Sequence, residues 1–254
     1  MKQIYAVETE KELIAYQKYV MSVVPKLNTY IDFLKREYEV SELPKAIVWT
    51  SGEVATRLIS DIPVPAYTNE HRVVMTPVLE AWREIYLKQL DKLDGNQEIE
   101  ENVREIRTYY EKELSENHML QILGHELAHH SELFLEDFNS DYSDGVWFEE
   151  GMAEYISRRY FLTEEEFEAE AKINRQLVDS LKERYGTHSL EQFSKSTYEG
   201  DYASIFFEYW RSFLAVKQIV EDYKGDVKAV FASYHKWNEI CNGQTLVEWF
   251  DVNI

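Results

Sequence analysis

The stretch ILGHELAHH, residues 122–130, sets three histidines and a glutamate into an otherwise apolar run. Leu123, Leu127 and Ala128 suit a buried helix, and imidazoles on a buried helix need partners. Any fold for this chain must therefore bury this segment and still satisfy its polar groups. Within it, His125-Glu126-Leu127-Ala128-His129 fits the pattern H-E-x-x-H. On an α-helix, residues four apart differ by about 40° in azimuth and lie one turn apart, so His125 and His129 can aim two imidazoles at one metal ion. Glu126 lies beside them, outside the ligand set, where it can act as a base on an attacking water. His130 points about 100° away from His129 and reads as an exposed or hydrogen-bonded neighbour. A structural helix with a chance motif is the competing reading.

The surrounding pattern is mostly helical, in keeping with only 9 Gly and 5 Pro in 254 residues. Residues 9–40 read as one or two amphipathic helices. AIVWTS (46–51) reads as a strand, and VPAYTNEHRVVMTP (64–77) as a turn near 68–70 followed by a strand at 72–76. Pro77 then precedes a helix at about 78–92, and KLDGNQE (92–98) is a loop. Residues 99–135 carry a long helical pattern, broken near Ser115–His118. An acidic loop (136–145) leads to a helix at 146–161. Thr163, an acid-rich first turn and Gly186 frame the next helix. Further helices fit 201–222, 225–237 and 244–250. The expected fold is α+β and predominantly helical. One domain spans 1–254, with a small N-terminal sheet and the H-E-x-x-H helix in 1–135 and a helical C-terminal part in 136–254.

A metal held by two histidines needs a third ligand. The metzincin extension would require Gly at 132 and His at 135, where this chain has Glu132 and Leu135. The next helix offers WFEEGMAEY, residues 147–155. Here the chain resembles the gluzincin metallopeptidases of the thermolysin and alanyl-aminopeptidase type. These carry their third ligand on a second helix, often as W-L-N-E-G-x-A. Trp147-Phe148-Glu149-Glu150-Gly151-Met152-Ala153 matches that pattern and puts Glu150 at the ligand position. Glu149 competes for the role, but Glu150 has Glu154 four residues on along the same helical face, while Glu149 has only Ala153 there. The family uses an acid at that offset to hold the first histidine through its other ring nitrogen, which would be the part of Glu154.

The resemblance covers about residues 115–250 and implies a zincin-like catalytic domain. It further implies Zn²⁺ on His125, His129 and Glu150, with Glu126 as general base and amide hydrolysis as the reaction. It also implies a tyrosine that stabilises the oxyanion. TYEGDYASIFF (197–207) aligns Tyr198 with that tyrosine, its glycine displaced by one; Tyr202 and His235 are alternatives. Nothing between residues 60 and 115 matches the G-x-M-E-N segment with which the aminopeptidases bind a free amino terminus, so endopeptidase specificity stays open. The strand HRVVMTP (71–77) could be the sheet edge along which an extended peptide pairs. Asp137, Asn139 and Asp141 alternate as in a calcium loop, but Tyr142 and Phe148 stand where that loop needs Gly and Glu.

A net charge of −20 repels phosphate backbones and anionic lipid, which speaks against nucleic-acid and membrane-surface partners and leaves peptide or protein substrates. The single Cys241 excludes an intrachain disulfide framework and a multi-cysteine zinc site. No signal-peptide-like segment opens the chain, so a cytoplasmic location is expected. The alternative function is a catalytically inactive zincin-like protein that binds metal or peptide.

Overall fold

Thr9 starts the first long helix. Its side chain accepts from the Glu12 backbone N–H while Glu12 accepts from the Thr9 backbone, a capping box that opens α1, Glu10–Glu37. Tyr16, Val20, Val23, Leu27, Tyr30, Ile31 and Leu34 form its buried stripe at helical spacing. It runs as one helix through Pro25. Met21 and Pro25 are both exposed, so water can take the carbonyl that loses its donor. The computed structural model describes residues 1–59, 65–90, 97–136, 138, 145–186, 188–240 and 243–252, with the backbone alone at 97–100, 195 and 196. Asp137, Asn139, Asp141 and Cys241 lie outside the described residues.

Four strands form one sheet: β1 (Lys2–Ala6), β2 (Ala46–Thr50), β3 (Ala66–Thr68) and β4 (Arg72–Met75). The order is β1-β2-β4-β3; β1, β2 and β4 run parallel and β3 antiparallel to β4. All five residues of β2 are buried, as a strand covered on both faces requires. The Asn69 side chain accepts from the His71 and Arg72 backbone N–H groups and so makes the turn between β3 and β4. Against the expectation, the strand at 72–75 is not an edge: it is paired on both sides, and among the described residues the edges are β1 and β3.

A short helix, α2 (Gly52–Val54), and a π-turn, Ala55–Ile59, follow β2. After the sheet come α3 (Leu79–Leu90) and α4 (Gln97–Thr108), which continues as a π-turn over Tyr109–Glu113. Ser115 caps α5 (Glu116–Ala128), at the expected break, but α5 ends seven residues short of the expected 135. Then come α6 (Val146–Phe161) and α7 (Glu164–Tyr185), the latter opened by a Thr163–Glu166 capping box and followed by Gly186. Short 3₁₀ turns at Leu190–Gln192 and Lys195–Glu199 lead to α8 (Tyr202–Asp222), α9 (Val227–Ile240) and α10 (Leu246–Trp249). The chain is predominantly helical with a small four-stranded sheet, and one contiguous hydrophobic cluster extends from Tyr16 to Val252. Among the described residues no helix is long and apolar enough to cross a membrane.

Three helices carry the centre. α5 packs on α6, and α6 on α8. The contact faces hold glycines where the backbones approach. A Cβ on Gly151 would lie 2.3 Å from the Ser212 carbonyl oxygen, and one on Gly124 would lie 2.6 Å from the Phe161 ring. α5 also runs along β3 and β4, which brings the sheet edge beside its C-terminal end.

Candidate metal centre

Every residue of α5 from His118 to Ala128 is buried, so its histidines and Glu126 sit among packed side chains. His125 lies in the last turn and His129 caps the helix in αR conformation. Their Nε2 atoms are 3.0 Å apart. Glu150 Oε2, from α6, lies 3.2 Å from His125 Nε2 and 3.3 Å from His129 Nε2. Three donors on a tetrahedral ion with bonds of about 2.0–2.1 Å stand about 3.3 Å from one another. The triangle His125, His129 and Glu150 has those dimensions and could hold a metal ion. Glu150 Oε2 is buried and receives no hydrogen bond, which is costly unless a cation completes it.

The electrostatics point the same way. Burial opposes a charge on His125, yet Glu154 and Glu150 together push its imidazole well above the usual histidine range. Burial would likewise raise Glu150, but His129 and His125 hold it well below the usual carboxylate range. This pocket of carboxylates attracts positive charge, and a divalent cation at Nε2 would take the place of the proton. Glu126 is pushed up to about 8 by burial, with Glu150 and Glu154 adding to the rise and His125 opposing it.

Glu154 faces His125 Nδ1 through Oε1 at 3.2 Å. Its other oxygen accepts from Gln121 and Arg158. Burial would raise this carboxyl, but Arg158 and His125 outweigh it and hold it at about 2. Glu149 turns elsewhere. It accepts from the backbone N–H groups of Leu135 and Glu136 and from the Tyr234 hydroxyl, pinning the segment that follows α5. Burial pushes it up to about 7 against those donors.

Tyr198 reaches the cluster. Its hydroxyl donates to Glu150 Oε1 at 3.4 Å and pairs with the Tyr209 hydroxyl at 2.7 Å. Tyr202 stacks on Phe206 instead, and His235 donates to the Leu133 carbonyl at 2.8 Å. His130 stands apart from the ligand triangle, 3.0 Å from Thr68 Oγ1 on β3 and with its ring against Phe138. Burial lowers it to about 4. Tyr209 escaped the sequence reading. It is one of 18 tyrosines, on an apolar helix, with no motif around it; its ring centroid lies 5.8 Å from that of His125. Arg158 and Glu170 escaped it as well, because no motif marks either of them.

A family model described as collagenase, peptidase family M9, matches residues 92–247, more than half of the chain. The matched stretch includes α4 to α9 and every residue of the cluster, while the whole sheet precedes it. No curated protein and no solved structure matches the chain.

Proposed function

Because this chain belongs to the collagenase family of zinc metallopeptidases, we propose that it hydrolyses peptide bonds at a gluzincin-type centre formed by His125, His129 and Glu150. The observation that carries this reading is the ligand triangle of 3.0–3.3 Å closed by a carboxylate oxygen that receives no hydrogen bond. Its frame is one zincin-like domain, a reading supported by the contiguous core and by the H-E-x-x-H helix lying along the sheet. Zinc bound there supplies Lewis acidity, which makes a water acidic near neutral pH and polarises a carbonyl.

The remaining chemistry belongs to the chain. Glu126 takes the proton of the attacking water and passes it to the leaving amine nitrogen. The Tyr198 hydroxyl donates to the carbonyl oxygen as it becomes anionic, held by Tyr209. Glu154 Oε1 stands 3.2 Å from His125 Nδ1, and a proton held between them would turn Nε2 towards the metal. The substrate is peptide or protein. An extended segment would pair along β3, an edge strand among the described residues, which His130 ties to the end of α5 through Thr68. Glu126→Gln keeps the shape of the side chain but cannot take the proton. It should retain stoichiometric zinc by metal analysis and lose at least about 10²-fold in hydrolysis of a mixed peptide library. Unchanged turnover would sink the assignment of the base.

A further inference from the structure

We propose that Arg158 is a positioning residue of the metal centre, aiming the free oxygen of Glu154 at His125 Nδ1 from an anchorage on α7 and α8. The proposal rests on the reading of His125 as a zinc ligand. Its ground is the division of labour between the two oxygens of Glu154. Oε2 receives Gln121 Nε2 at 2.9 Å, Arg158 Nε at 2.7 Å and Arg158 Nη2 at 2.7 Å. Oε1 is left to face His125 Nδ1. A carboxylate with one oxygen clamped by three donors cannot turn without breaking them, so the direction of Oε1, and with it the tilt of the imidazole, is set by the clamp.

Arg158 is itself held from outside its own helix. Its third nitrogen, Nη1, donates to Asn174 Oδ1 at 3.1 Å and lies 3.5 Å from Glu170 Oε2, both one turn apart on α7. The guanidinium stacks 4.0 Å from the centroid of Phe213 on α8. Asn174 is fixed in turn by donating to the Glu170 carbonyl at 2.8 Å. The circuit then returns to α5, because His118 Nδ1 donates to Glu170 Oε1 at 2.7 Å. His118 and His125 lie two turns apart on α5; Glu170 accepts from His118, Glu154 Oε1 stands 3.2 Å from His125 Nδ1, and Arg158 bridges the two carboxylates. Lysine could supply the charge at position 158 but not the planar fork that engages Glu154 and Asn174 together.

The test is zinc affinity of the folded protein by chelator competition, beside the thermal midpoint of the zinc-free protein. Arg158→Lys should weaken zinc binding about 10–100-fold, and Glu154→Gln comparably. The double variant should be no weaker than the weaker single, because both act at one contact. A residue that only stabilises the fold would lower the zinc-free midpoint and leave the zinc Kd alone. Wild-type affinity in folded Arg158→Lys, or losses that add in the double variant, would overturn the proposal. If Arg158→Lys does not fold, Asn174→Ala carries the test: removing the far anchor should weaken zinc about threefold or more, and unchanged affinity would count against the proposal. His129→Ala is the control for the ligand reading. Stoichiometric zinc retained there would overturn the ligand set itself, whereas zinc lost there and kept at wild-type affinity in the Arg158 variant overturns only the role of Arg158.

Discussion

The Tyr198 hydroxyl lies between Tyr209, 2.7 Å away, and Glu150, 3.4 Å away. Burial, then Glu150 and Tyr198, push Tyr209 well above the usual phenol range, so its proton stays in place to bridge the two rings. In the proposed mechanism the Tyr198 donor, 3.4 Å from Glu150, turns to the oxyanion when substrate enters. Tyr198→Phe should therefore lower kcat by about 10²–10³-fold while zinc content stays stoichiometric, measured by steady-state hydrolysis and metal analysis. Tyr209→Phe should act in the same direction and less strongly, since it touches the reaction only through Tyr198. At this scale the histidines were legible because H-E-x-x-H is local geometry: one helical turn decides where both rings point. Glu150 and Glu154 were legible once a second helix was granted. Tyr209, Arg158 and Glu170 were not, since they join the cluster only after α6, α7 and α8 have packed, and no spacing along the chain encodes that.

Gly151 governs the approach of α6 to α8. A Cβ there would stand 2.3 Å from the Ser212 carbonyl oxygen and 2.6 Å from its carbon, and backbone of a packed helix cannot move aside cheaply. Gly124 is the instructive contrast, because the first atoms its Cβ meets belong to the Phe161 ring, which is only partly buried. Gly151→Ala should thus cost about 1–3 kcal/mol in stability, and more than Gly124→Ala. It should also weaken zinc binding, because Glu150 is the adjacent residue. Thermal midpoints and chelator competition on the two variants check both statements. Helix limits were readable where a cap, an apolar stripe and a stop coincide, as in Thr163 to Gly186. The position of a strand within the sheet was not. β4 has the composition of any half-buried strand, and only its long-range pairing with β2 on one side and β3 on the other makes it interior. Among the described residues, that pairing leaves β3 at the edge of the sheet, next to α5.

Across the whole molecule, Glu126, Glu150, Glu154 and Glu170 are all buried, and the buried guanidinium of Arg158 engages two of them, Glu154 and Glu170. Such a core is tolerable only if protons or a cation neutralise it. Glu126 is pushed up and the His125 imidazole is raised, both in the direction that this need sets. Zinc would fill it better, being divalent and fitted to the ligand triangle, and it binds the folded chain, since the unfolded chain does not assemble α5 with α6. Free zinc at 1,000 times its Kd adds about 4 kcal/mol to stability, which for a chain of this size raises the midpoint by roughly 8–16 °C over chelator-treated protein. His129→Ala should lose that increment. The pH dependence follows from the sign of the His125 shift. Its raised value means that zinc must displace a proton, so each fall in pH favours the competitor and the zinc-dependent rise in midpoint should shrink. Paired melts with zinc and with chelator, repeated at falling pH, measure it; an increment that grows with acid would mean that the stabilising ion does not bind at His125.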